Sequence, residues 1–408
     1  MQRVLTVETD PADVGLDAGR LARLDTRLAR WVDEGKLPGF LVTVARHGKL
    51  AHVGTHGHRD VEAGLPVTPD TIWRIFSMTK PVTSVAAMSL YEEGAFELTD
   101  PISRWLPEFA EPRVYVAGND VTPVTQPATE PIRVWHLLTH TSGLTYGFQR
   151  SHPVDGMYRA AGHEWGTPPG ADSAEVSRQW AALPLVFQPG SEWNYGVSTD
   201  VLGRLVEVLA GKPLDEVFAE RVLGPLGMTE TSFGLRPDDD PARLARLYGP
   251  GVVPLAAFEQ AAHRRPAFLS GGGGLVSTAG DYLRFVEMLR AGGVAADGSR
   301  ILGSRTLAHM VRNHIPGGAD LETYGRPLFA ETPLRGVGFG LGFSMVLDPA
   351  RYGTVASVGD YSWGGAASTA FYLDPVEDLT VTFYTQLLPS STLPIRSHLR
   401  QLVHQALL

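Results

Sequence analysis

The sequence predicts an α/β fold: an antiparallel sheet flanked by N- and C-terminal helices, with a mostly helical region inserted in the middle. Three observations predict it. Two β-rich runs, residues 40–46 and 49–53, straddle a tight turn at His47-Gly48 near the N-terminus. Strand-like runs reappear only after Ser270, at 271–276, 338–347, 369–373 and 379–384. Between Ser77 and about residue 235, helical periodicity dominates. Residues 1–76 and 262–408 are therefore assigned to one discontinuous α/β domain, and 77–261 to a mostly helical domain with lid-like irregular segments. The cleft between them is the expected site.

The elements follow in order. Residues 16–34 carry Leu21, Leu24, Leu28 and Trp31 at helical spacing, and Gly35 and Pro38 mark the end. The hairpin comes next, and a turn-rich segment then leads to Ser77. Residues 82–90 are apolar and free of glycine, which predicts a buried helix entered at about Ser77. Asp100-Pro101 reads as a helix cap followed by proline at the first helical position. Residues 111–130, rich in Pro and Thr without a period, read as a loop. A short helix is expected at 132–138, and an irregular stretch at 146–189 with a single helical patch at 174–183. Helices are expected at 199–210, stopped by Gly211, and at 214–223, 279–290, 304–312 and 394–407. No internal repeat or low-complexity tract is present.

Composition narrows the function classes. The 408 residues are 43% hydrophobic, enough for a sizeable core. A net charge of −9 without any basic block offers no footprint for nucleic acid or an anionic membrane. The absence of cysteine excludes disulfides, thiolate metal sites and a cysteine nucleophile. The first ten residues carry acidic side chains where a signal peptide needs an apolar core, and no run reaches membrane-spanning length, so a cytoplasmic location is expected. Neither metal nor cofactor is expected. His52, His56, His58, His136 and His140 lack a ligand pattern, and the glycine run 271–274 is not followed by the Gly-Lys-Ser/Thr of a phosphate loop. That run instead suggests a close pass of the chain by the cleft. Oligomeric state is not readable.

The chemistry gathers at Ser77-Met78-Thr79-Lys80. A serine and a lysine three apart share one helix face, so hydroxyl and amine can be nucleophile and base. Pro81 fits only in a first turn, which puts Ser77 at the helix N-terminus. There the unpaired N–H groups and the positive end of the macrodipole favour a neutral, basic amine. Alone, the same pattern also describes a capping serine beside a snorkelling lysine. No Gly-x-Ser-x-Gly pentapeptide offers a competing nucleophile.

Further motifs share its order and spacing. Ser77-x-x-Lys80, His140-Thr141-Ser142-Gly143-Leu144, Pro189-Gly190 leading to Tyr195, and Trp363-Gly364-Gly365 together resemble the serine β-lactamase and penicillin-binding protein superfamily over about residues 15–405. Within it the chain most resembles the family VIII carboxylesterases, which share the class C β-lactamase fold. The resemblance implies Ser77 as the acylated nucleophile, with Lys80 and Tyr195 as a coupled pair that moves its proton. Which of the two is formally the base stays open, since such a pair titrates as a unit. It also implies an oxyanion hole from the backbone N–H groups of Ser77 and Ala366. Trp363, followed by Gly364 and Gly365, stands where β-lactamases have Lys-Thr-Gly, and Val197 stands where class C enzymes have an amide-binding asparagine. Both changes imply a site for neutral acyl groups, and hence a carboxylesterase for short-acyl or aryl esters with a small-molecule ester as its partner. The alternatives are a β-lactamase or peptidase, a small-amide hydrolase, an acyltransferase, or a non-catalytic binding or scaffold protein on the same fold.

Overall fold

The computed structural model describes residues 5–326 and 334–408. Its first helix, Ala18–Asp33, is capped by the Asp17 carboxylate and buries Leu21, Leu24, Leu28 and Trp31. Beside it runs the C-terminal helix Ile395–His404, which buries Ile395, Leu399 and Val403. Both cover one face of an eight-stranded sheet. Its strand order is Val337–Phe339, Ser344–Val346, Tyr361–Gly364, Ala370–Asp374, Leu379–Tyr384, Gly39–Arg46, Lys49–Asp60, Leu65–Pro66, and every pairing is antiparallel. The two ends of the chain meet where Gly39–Arg46 pairs with Leu379–Tyr384 in the register Val42↔Phe383.

Side chains alternate across that junction. Phe40, Val42, Val44, Val381 and Phe383 pack with the terminal helices. Leu41, Phe371, Leu373 and Tyr384 belong to a second, larger core on the opposite face. That core continues without a break through the helices Thr79–Glu92 and Ser198–Ala210. Thr79–Glu92 is buried almost all round, which explains the apolar run without a polar stripe.

Four local expectations are corrected. Residues 111–130 are not a loop throughout: Arg113–Gly118 and Pro123–Pro127 form a hairpin, its turn tied by Asn119 Oδ1, which accepts the N–H groups of Val121 and Thr122. Val114 and Val116 stand two apart in the first strand, and Pro123 and Pro127 fall at the ends of the second, where a missing N–H is tolerated. Asp100 caps no helix, because Pro101 is extended and only a 3-10 turn, Ile102–Arg104, follows. The stretch 146–189 contains a second helix, Pro153–Ala160. The strand expected at 271–276 is confined to Val276–Thr278, paired with Ile72–Arg74, because the preceding glycines fold into turns closed on the Ser270 carbonyl. Among the described residues, no helix is long and apolar enough to cross a membrane.

Candidate active site

The strand Ile72–Arg74 delivers the chain to Phe76, whose φ of 44° is unusual for a bulky residue. A 3-10 turn, Phe76–Met78, then carries Ser77 into the helix Thr79–Glu92, with Pro81 in its first turn. The turn is held from outside. Tyr282 donates its hydroxyl to the Met78 carbonyl at 2.8 Å, and Thr79 Oγ1 accepts the Leu275 N–H at 3.2 Å.

Lys80 is 1% exposed, and its amine lies 3.2 Å from Ser77 Oγ. It also donates to the Gly272 carbonyl at 2.6 Å and contacts the Tyr146 hydroxyl at 3.0 Å. The Tyr195 ring presents its face to the amine, 4.6 Å from centroid to nitrogen. Behind Tyr146 lies Asp200, whose Oδ2 accepts the Tyr146 hydroxyl at 3.4 Å and whose Oδ1 accepts Ser270 Oγ at 2.5 Å and the Gly272 N–H at 2.9 Å. Burial pushes the Asp200 carboxyl above the ordinary range, opposed by Lys80 and by these donors. Burial, then the Asp200 charge, raises Tyr146 well above the usual phenol range, so it keeps its proton. His140, ring to ring with Tyr195 at 4.8 Å, is held neutral by burial and then by Lys80.

A second backbone segment closes the site. Gly365 donates to the Thr369 carbonyl at 2.8 Å, and Thr369 Oγ1 donates to the Ile75 carbonyl at 3.3 Å, so the loop bearing Ala366 is tied to the segment bearing Ser77. A Cβ on Gly365 would lie 2.6 Å from that same Ile75 oxygen, which explains the glycine. Ser77, Tyr195, Trp363 and Ala366 line one cleft. Gly364 and Gly365 line it too, with Trp363 in ring contact with Tyr195 and Phe339, each at 5.3 Å. Phe148 and Trp165, stacked at 4.4 Å, form another part of the wall.

Val197 is the exception. It does not line the cleft but is 3% exposed within the large core, its N–H directed at the Thr145 carbonyl, so the substrate-binding role expected for it is corrected to packing. Tyr146, Asp200 and the cleft-lining Arg396 were not singled out by sequence, and Gly272 only as part of the glycine run read as passing close to the cleft. Asp200 in the first turn of Ser198–Ala210 reads as an ordinary dipole-compensating acid, and Tyr146 opens an aperiodic stretch.

A serine and a lysine in contact at a helix entrance, between a helical body and an antiparallel sheet, define a serine hydrolase of the β-lactamase type. The model of the Beta-lactamase family matches residues 24–405, and the chain belongs to that family. It is 38% identical over 377 residues to Protein Rv1367c of Mycobacterium tuberculosis, covering 88% of each chain. It is 35% identical over 400 residues to Esterase EstB of Burkholderia gladioli, covering 92% of this chain and 93% of EstB. Among solved structures it superposes on EstCE1, described as a hydrolase with promiscuous acyltransferase activity, with a TM-score of 0.79 and 30% identity over 95% of this chain and 99% of that one.

Proposed function

We propose that the protein is a carboxylesterase that hydrolyses short-acyl or aryl esters through a covalent acyl-Ser77 intermediate. The observation that carries this reading is the Lys80 amine 3.2 Å from the Ser77 hydroxyl at the wall of a cleft that Phe148, Trp165, Tyr195 and Trp363 help to line. In the first step, Ser77 Oγ attacks the ester carbon as its proton passes to the Lys80–Tyr195 pair. The carbonyl oxygen gains the electron pair and is stabilised by the N–H groups of Ser77 and Ala366. Collapse of the tetrahedral intermediate expels the alcohol, which takes the proton from the same pair. Water then repeats the sequence on the acyl-enzyme and releases the acid.

The ester preference rests on Trp363, which sets an indole where a lysine would bind a β-lactam carboxylate. Loss of one charge-assisted hydrogen bond is worth about 1.5–3 kcal/mol, or roughly ten- to a hundredfold in rate. An ester without a carboxylate loses nothing by the change. An alkoxide or phenoxide also departs with less help from a proton donor than an amide nitrogen needs.

A panel of p-nitrophenyl acetate, butyrate and octanoate against a chromogenic cephalosporin tests the reading. Efficient turnover of the two short esters and slow or absent turnover of the cephalosporin are expected, with both activities lost in Ser77→Ala. Equal efficiency on the cephalosporin would overturn the ester preference. Substantial activity in Ser77→Ala would overturn the nucleophile. Failure of a fluorophosphonate to label Ser77 would favour the non-catalytic alternative.

A further inference from the structure

The three groups around the Lys80 amine differ in what they can give and take. The Gly272 carbonyl can only accept, so one N–H of Lys80 is committed to it at 2.6 Å. Tyr146 can do either, and its role is settled one step further out. Asp200 Oδ1 is met by a backbone N–H and by the Ser270 hydroxyl, leaving Oδ2 to receive the Tyr146 proton. Tyr146, which keeps its proton, therefore turns its lone pairs toward Lys80 and accepts a second N–H at 3.0 Å. The reactive form of a lysine base is the neutral amine, with two N–H bonds and one lone pair. With both N–H bonds committed, the remaining tetrahedral position on the nitrogen faces Ser77 Oγ at 3.2 Å.

We propose that Asp200, acting through Tyr146 and Gly272, is a positioning residue that sets the direction of hydrogen bonding around Lys80 and thereby turns the amine's lone pair onto the Ser77 hydroxyl. The inference rests on the esterase reading and deepens it by separating two roles. The proton leaving Ser77 Oγ bonds to the Lys80 nitrogen as the oxygen forms its bond to the acyl carbon. Tyr195 then acts as the acid: its phenol gives its own proton to the departing alcohol and takes back the one held by Lys80. The carboxylate has little room to reorient, since even a Cβ on Gly272 would come within 2.3 Å of Asp200 Oδ2. One residue orders both arms of the cradle, because Gly272 gives its N–H to Asp200 and its carbonyl to Lys80.

Asp200→Asn reverses the direction of hydrogen bonding in this cradle. The Gly272 N–H, which can only donate, holds the amide oxygen of the new side chain at the Oδ1 position. The NH2 group then occupies the Oδ2 position and donates to Tyr146. The Tyr146 proton is driven onto the Lys80 lone pair, and the base is turned away from Ser77. Removing that misdirected hydroxyl in Asp200→Asn/Tyr146→Phe frees the lone pair again.

The experiment measures kcat and KM for p-nitrophenyl butyrate, the rate of Ser77 labelling by a fluorophosphonate, and thermal unfolding, for wild type, D200N, Y146F and D200N/Y146F. D200N is expected to lower kcat and the labelling rate about a hundredfold with KM within about threefold, the scale of a lost general base. The double variant should run roughly tenfold faster than D200N, a rescue that a merely structural role would not produce. A double variant no faster than D200N, or a D200N enzyme within threefold of wild type, overturns the proposal. Should D200N fail to fold, Y146F decides, because it keeps the Asp200 bonds to Ser270 and Gly272. It is expected to lose about tenfold in kcat at unchanged KM, and a wild-type rate overturns the proposal. Wild-type protein that labels at Ser77 but hydrolyses none of the esters would instead refute the esterase reading, while the order of labelling rates still judges Asp200.

Discussion

Acid sensitivity should arise in part at His136, in the first turn of the helix Val134–Thr139. The ring is 2% exposed, and its Nδ1 accepts the Arg133 N–H at 3.0 Å, which requires that nitrogen to be unprotonated. Burial, then the Arg133 charge, lowers its pKa from 6.5 to about 4. Since the folded pKa lies below the unfolded one, the unfolded chain takes up the proton first as pH falls. Stability associated with neutral His136 is thus fully present above pH 6.5 and is lost between 6.5 and 4. With those two values the loss is about 2 kcal/mol at pH 5 and about 3 kcal/mol once both states are protonated. Other buried groups move the wild-type curve as well. Asp281, raised to about 6 mainly by burial, gains stability for the fold as pH falls through the same window. The useful quantity is therefore the difference from His136→Gln, whose side-chain oxygen can still accept the N-cap N–H from the third helical position. Urea unfolding followed by tryptophan fluorescence at pH 7 and pH 5 should show His136→Gln gaining about 2 kcal/mol relative to wild type on acidification. An unchanged difference between the two pH values would refute the assignment of a neutral, buried His136.

Three further outcomes concern the site. Lys80→Ala and Tyr195→Phe should each remove most of the ester hydrolysis, and the double variant should lose little more, as expected of groups acting together; additive losses in kcat would separate them. Gly365→Ala should shift the Ala366 amide, because its methyl meets Ile75 O and Thr369 Oγ1, lowering kcat about a hundredfold with a smaller effect on KM; a wild-type kcat would dissociate this loop from the oxyanion hole. Trp165, 43% exposed and stacked on Phe148 in the cleft wall, should contribute about 0.5–1.5 kcal/mol of ring contact to aryl substrates, so Trp165→Ala should cut kcat/KM for 2-naphthyl butyrate about two- to twelvefold relative to ethyl butyrate; equal losses on both would deny the wall a role in aryl recognition.

Elements whose pattern is local are legible in the order of the residues alone. Leu21, Leu24, Leu28 and Trp31 mark a helix face whatever they pack against, and the apolar run after Pro81 marks a buried helix entered near Ser77. Alternation at 379–384 specified a strand, and the antiparallel sheet drawn from both chain ends followed from where such runs cluster. The motif spacing likewise placed Ser77 and Lys80 on one helix entrance, because three residues of helix bring the two side chains together without help from the rest of the chain. Tertiary structure decided what depends on long-range approach. Asp200 meets Tyr146 and Gly272 across 54 and 72 residues of chain, and neither spacing nor residue type distinguishes it from a helix-capping acid. Val197 was assigned to the cleft by its motif position two residues after Tyr195, yet it sits at the cap of the helix Ser198–Ala210, where only the fold decides that its side chain packs into the core while Tyr195 lines the cleft. The glycine run after Ser270 was legible as a close pass, but not its use: a carbonyl presented to Lys80 is a backbone group that every residue carries, and only the fold aims it.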